Sequence, residues 1–161
     1  PVTKEFLGYQ VRDVGGAKLL SSNRDDVTEL EVTRVKEEVR DGDRLLPMEE
    51  RILDASFHPR APEQEIVGGV MIAVEGGLTQ IGNMSIVVIN KGKREGLQNG
   101  DVLAVYQAGK LVFDKIAQAN VRLPDTRAGL AMVFETYEKV SYAIILNTTR
   151  PLGMFDLVKN P

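Results

Sequence analysis

The chain has 161 residues, 43% of them hydrophobic and 27% charged, with a formal net charge of −3 and no cysteine. That is enough to bury a core in one domain or two small ones, and it does not fit a disordered chain. The weak acidic balance, with no dense Lys/Arg run to offset it, argues against a nucleic-acid partner, and the missing thiols exclude disulfides and thiolate metal sites.

The chain opens on "PVTKEF", with neither an initiator Met nor a signal peptide, and reads as a piece of a longer protein. "EFLGYQVRDVGGA" (5–17) lines up with "EIVGGVMIAVEGG" (65–77), setting Glu5 on Glu65, Gly8 on Gly68, Val14 on Val74 and Gly16 on Gly76. Such self-similarity is the signature of repeated supersecondary units. "TELEVT" (28–33) alternates Leu30 and Val32 with Glu29, Glu31 and Thr33, the pattern of a half-buried strand. "EEVRDGDRLLP" (37–47) then foreshadows "REGLQNGDVLAVY" (94–106), so that Gly42-Asp43 meets Gly100-Asp101. Glycine before a strand accepts positive φ at little steric cost, and the following Asp takes hydrogen bonds from nearby backbone N–H groups. The pair is a corner that turns the next apolar strand back across the sheet, a device for bending a small sheet toward a barrel.

Residues 47–65, with Pro47, Pro59 and Pro62, read as an extended connector. "VMIAV" (70–74), "SIVVIN" (85–90), "DVLAVY" (101–106), "LAMVFE" (130–135) and "VSYAIILN" (140–147) are β-rich and too short for helices. Residues 93–98 fit one helical turn, and "GKREG" (92–96) a hairpin tip. A third, weaker repeat spans 127–161, where Gly129 matches Gly8 and Gly68 and Phe155-Asp156 stands in for Gly-Asp. The expected fold is therefore mainly β, with little helix: repeated bent hairpin units with Gly-Asp corners forming small antiparallel barrel-like sheets. The expected organisation is a first β unit over 1–46, the connector over 47–65, and a barrel-like domain over 66–161. The structural turn residues are Gly42, Asp43, Gly100, Asp101 and Asp156.

The last strands are apolar on both faces. Val140, Tyr142, Ile144 and Leu146 oppose Ala143 and Ile145, while Leu130, Met132 and Phe134 oppose Ala131 and Val133. Leaving a large aliphatic side chain in water forgoes about 1.5–3 kcal/mol, so the outer face should be covered by the connector, by the first unit or by another molecule. No apolar run approaches the roughly 20 residues of a membrane-spanning helix, so no transmembrane segment is expected.

The search for chemistry finds little. His58 is the single histidine and lies beside Pro59; no second His or Cys completes a common zinc site. Glu37-Glu38 and Glu49-Glu50 read as solvated faces, and "GGVMIAVEGG" lacks dinucleotide-loop spacing. Arg122, Arg127 and Arg150 suit an acidic partner or are plain surface arginines. No catalytic residue, metal ligand or cofactor is assigned, and the partner-binding surface is left open.

"GGVMIAVEGGLTQIGNMSIVVINKGKREGLQNGDVLAVY", "INKGKREGLQNGDVLAVY", "EKVSYAIILNTTRPL" and the opening "FLGY" resemble the C-terminal region of the type IV pilus secretin-associated protein family, over nearly the whole chain. The part after residue 65 also looks like the C-terminal domain of the flagellar T-ring and H-ring assembly protein family. The first resemblance implies a periplasmic protein associated with the outer membrane of a Gram-negative bacterium. Its partners would be the outer-membrane secretin of the pilus machine and neighbouring copies in a ring. Peptidoglycan would be held only by an upstream LysM domain that these residues do not contain. The resemblance brings no catalytic residues and implies a non-enzymatic scaffold. The alternatives are a cell-wall-modifying enzyme, which needs two carboxylates within roughly 5–10 Å in a cleft, and a flagellar ring assembly component.

Overall fold

The computed structural model describes residues 4–22, 27–48, 58–75 and 81–161. They form two compact units, Gly8–Leu53 and a second made of Pro1–Leu7 with Asp54–Pro161. The fold is mainly β. Gly8–Leu53 holds one antiparallel hairpin, β1 (Gly15–Ser22) with β2 (Thr28–Val35). The larger unit holds β3 (Gly69–Val74), β4 (Ile86–Ile89), a 3-10 turn at Lys93–Glu95, β5 (Val102–Gln107), β6 (Leu111–Asp114), β7 (Ala119–Arg122), β8 (Thr126–Thr136), β9 (Ser141–Thr148) and β10 (Leu157–Lys159). Six of these strands close a barrel in the order β10-β3-β4-β9-β8-β5, with every pairing antiparallel. The β6–β7 hairpin stands apart as its own two-stranded sheet.

The barrel order reveals an internal two-fold. The repeat β3-β4-corner-β5 and the repeat β8-β9-corner-β10 interlock, because the third strand of each pairs with the first strand of the other. The second strands, β4 and β9, form one seam and the third strands, β5 and β10, the other. Neither repeat closes a core alone; together they leave no sheet edge.

The interior is filled by Met71, Val87, Ile89, Leu103, Val105, Ala131, Val133, Ala143, Ile145 and Val158, all fully buried. Period-two alternation sends these inward and their chain neighbours outward. The second half of the expected connector is tied to the barrel. Pro62 is buried, Arg60 forms a parallel bridge with Asp101, and the Gln64 carbonyl accepts from Asn160 Nδ2 at 3.0 Å.

Whereas β3 follows Gly68 directly, β1 begins at Gly15, well beyond Gly8. The repeats align in space by distance from the corner. Ile89, paired with Met71, lies twelve residues before Asp101, and Ala143, paired with Val133, lies thirteen before Asp156. Glu31 and Leu30, paired with Lys18 and Leu19, lie twelve and thirteen before Asp43.

Candidate partner-binding surfaces

The corners set where each surface lies. Four four-residue turns share one hydrogen-bond pattern among the described residues. The first residue's N–H donates to the fourth residue's side chain, the fourth's N–H donates back to the first's carbonyl, and the third has positive φ. In 98–101 Asp101 Oδ2 accepts from the Gln98 N–H at 2.8 Å, and Gly100 has φ +95°. In 40–43 Asp43 Oδ2 accepts from the Arg40 N–H at 2.8 Å, and Gly42 has φ +94°. In 153–156 Asp156 Oδ2 accepts from the Gly153 N–H at 2.8 Å, with Phe155 itself at φ +69°. The fourth, 82–85, lacks Asp. Ser85 Oγ accepts from the Gly82 N–H at 3.2 Å, and Met84 takes φ +65°. The sequence search for Gly-Asp misses it because Asn83-Met84-Ser85 carries neither residue.

Three of these corners are pinned to a strand through the same two backbone atoms, the third residue's N–H and the fourth residue's carbonyl. The 98–101 corner grips Val133 of β8 (2.7 and 2.8 Å) and the 153–156 corner grips Met71 of β3 (2.8 and 3.0 Å). The 82–85 corner grips Ile145 of β9 (2.8 and 2.9 Å). Asp101 is buried, and its Oδ1 accepts from Arg60 Nε at 2.8 Å, so the carboxylate that shapes the turn also holds the incoming chain.

The barrel turns most of the larger side chains of β8 and β9 outward. Ala131, Val133, Ala143 and Ile145 face in, whereas Leu130, Met132, Phe134, Tyr142, Ile144 and Leu146 face out. Met132 pairs with Ile144, and Ile144 pairs with Ile86, so the outward apolar face runs continuously across three strands. At one end Tyr142 packs against Phe134 (ring centroids 6.3 Å apart) and against Tyr137 (5.9 Å). Most of these side chains are half-buried, and Leu146 is 40% exposed. Continuous apolar faces of this kind mark contact surfaces.

The second surface is the β6–β7 arm. Asp114 Oδ1 accepts from the N–H groups of Ile116 and Ala117 and builds the tip, and Asp125 Oδ1 accepts from the Gly109 N–H at the base. That backbone bond, with the Lys159 ammonium beside it, holds the Asp125 carboxyl below its usual range. Leu111, Phe113 and Ile116 lie in solvent, Ile116 at 96%. Two strands alone hold together poorly in water, so an apolar arm of this form is suited to folding against something else. No sequence pattern singled it out, since "GKLVFDKIAQANVRL" mixes apolar and polar residues without a clear period.

A cluster of charges clips the chain start to the barrel unit. Glu5 Oε1 lies 2.7 Å from Arg94 Nη1 and 3.1 Å from Lys139 Nζ, and Lys139 also donates to the Phe6 carbonyl. The hydrogen bonds from Arg94 and then Lys139 lower the Glu5 pKa to about 2.

No group of three or more His, Cys, Asp or Glu able to hold a metal occurs among the described residues. His58 is exposed, and what it contributes is its backbone carbonyl, packed against Gly100. An open cleft of about 580 Å³ is lined by Arg60, Lys93, Gly96, Leu97, Gln98, Asn99 and Thr136, with no carboxylate among them. Of the remaining sequence candidates, Glu37 and Arg12 pair at 3.1 Å on the surface, Glu49 and Glu50 lie outside the described residues, and Arg122 and Arg150 are exposed. No helix among the described residues is long and apolar enough to cross a membrane. No protein-family model matches the chain, and no curated protein matches it.

Proposed function

We propose that this chain is a non-enzymatic scaffold of a type IV pilus secretin-associated protein, docking on the outer-membrane secretin ring in the periplasm while an upstream LysM domain holds peptidoglycan. The observation that carries the scaffold reading is the outward apolar face of β4, β8 and β9, built on a closed barrel whose interior is already filled by other side chains. A closed barrel resists deformation and keeps such a face in fixed geometry, which suits a bearing surface between two assemblies. The choice of secretin as the partner rests on the resemblance of "INKGKREGLQNGDVLAVY" and "EKVSYAIILNTTRPL" to that family.

The test is co-sedimentation of the purified chain with secretin-containing outer membranes from cells lacking their own copy. Enrichment is expected, and Met132→Lys combined with Leu146→Lys should abolish it while circular dichroism stays unchanged. No enrichment of the folded chain contradicts docking on the secretin. Enrichment that survives the double substitution moves the contact off this face. Crosslinking from Leu146 in intact cells then identifies the captured protein, and a flagellar ring component in that position would replace the pilus assignment.

A further inference from the structure

The Gly8–Leu53 unit carries the same parts as one half of the barrel and lacks the other half. Its hairpin β1–β2 precedes its corner by the same twelve to thirteen residues as in the two barrel repeats. Its corner has the same internal bonds and the same positive φ. The two atoms with which the other corners grip a strand, here the Gly42 N–H and the Asp43 carbonyl, have no partner among the described residues. After the corner, "RLL" is followed by Pro47, much as "LVKN" after Asp156 is followed by Pro161; a proline ends a strand by removing its donor. The residue two beyond the corner aspartate, Leu103 or Val158, is fully buried in the barrel, whereas its counterpart Leu45 is 69% exposed. On the hairpin, Leu19 pairs with Leu30 and Ala17 with Val32, and Leu19 and Val32 remain exposed.

We infer that a second copy of this chain completes the unit: two Gly8–Leu53 units close on each other by the two-fold that the two barrel repeats already use. The chain's own barrel supplies the template, since the only thing seen to complete such a half is another half of the same design, and a two-fold dimer provides it. In this arrangement the Gly42–Asp43 corner of each copy grips β1 of the other near Lys18 and Leu19. The Arg44–Leu46 segment lies along that strand as β10 lies along β3, and the two β2 strands meet as β4 meets β9. Leu19, Leu30, Val32 and Leu45 from both copies fill the shared interior. The inference stands apart from the choice of secretin as partner.

The β2 seam carries a signature that no other occupant shares. Glu29 and Glu31 alternate with Leu30 and Val32, so they take the outward face. Antiparallel two-fold pairing sets glutamates of one copy against glutamates of the other, an unfavourable cross-strand match that weakens the dimer without preventing it.

The whole chain should therefore show a reversible monomer–dimer equilibrium in sedimentation velocity between micromolar and millimolar concentration. Leu19→Asp with Leu45→Asp, both at exposed positions, should weaken association by about a hundredfold or more, with circular dichroism unchanged. Mixed with wild type, a Glu29→Lys/Glu31→Lys chain should form heterodimers above the statistical half, because lysine then faces glutamate. A chain that stays monomeric to millimolar concentration overturns the inference. So does a dimer indifferent to the aspartate substitutions, or a mixture with no heterodimer preference.

Discussion

Two regions of this molecule use the same turn and meet opposite fates. The 98–101 and 40–43 corners share a glycine at φ near +95° and an aspartate accepting at 2.8 Å from the N–H three residues back. In the first, Gly100 and Asp101 are buried, the turn is gripped on β8, and the strand that follows has its inward residues fully covered; the second is exposed, and its Gly42 N–H and Asp43 carbonyl have no partner among the described residues. A corner is therefore a local instruction with little stability of its own. What it contributes depends on whether a second repeat lies against it.

Identical substitutions at the two glycines should have very different effects. Gly100→Val forces a β-branched residue into positive φ and drives its Cβ toward the His58 carbonyl, which would lie at 2.7 Å. The expected loss is about 2–4 kcal/mol, read as a large fall in the melting temperature of the barrel unit. Gly42→Val meets the same φ with no atom within 4 Å of the added Cβ. It should leave the barrel's melting temperature unchanged. Equal falls for the two variants would mean that the corners are equivalent after all.

The aspartates give a smaller contrast of the same form. Asp101→Ala removes a buried carboxylate that caps the Gln98 N–H and accepts from Arg60, at a cost of about 2–3 kcal/mol by denaturant titration. Asp43→Ala exposes one N–H that water can satisfy and should cost under about 0.5 kcal/mol.

The smallest effect concerns the chain start. Glu5 is held at about 2, below its usual 4.5, by Arg94 and Lys139. A lowered carboxylate pKa stabilises the docked segment fully above about 4.5, and that contribution is lost as pH falls toward 2. Backbone order at Glu5–Leu7, read by NMR relaxation, should therefore fall on acidification while that of β8 and β9 holds, and Glu5→Gln should reproduce the loss at neutral pH. Because these charges are exposed, the change should be confined to the segment.

Much of the barrel was legible because period-two apolar runs and Gly-Asp pairs report strands and turns directly. "DVLAVY", "LAMVFE" and "VSYAIILN" lie in β5, β8 and β9, and Phe155-Asp156 forms a corner although it has no glycine. Other features were hidden for physical reasons. The 82–85 corner uses a serine hydroxyl where its siblings use a carboxylate, so composition gives no sign of it. β1 runs through "GGAKLLSS", whose glycines and serines disfavour a strand, and it exists because β2 pairs with it. The β6–β7 arm forms around Asp114 and Asp125, whose hydrogen bonds reach nearby N–H groups that periodicity does not register. Both-faced apolar strands pointed to a covered outer face. Which of the two faces points outward followed only from the barrel, which puts Ala131, Val133, Ala143 and Ile145 inside.

Two interlocked repeats make a closed, stable barrel, while the Gly8–Leu53 repeat, alone, stays open. Native-state hydrogen exchange resolved by residue, at concentrations low enough to keep the chain monomeric, separates the two regions. Amides of Val87, Val105, Ala131, Ala143 and Val158 should exchange only through global unfolding, and those of Leu19, Leu30 and Val32 orders of magnitude faster. Equal protection in the two regions of the monomer would mean that the Gly8–Leu53 unit closes a core by itself.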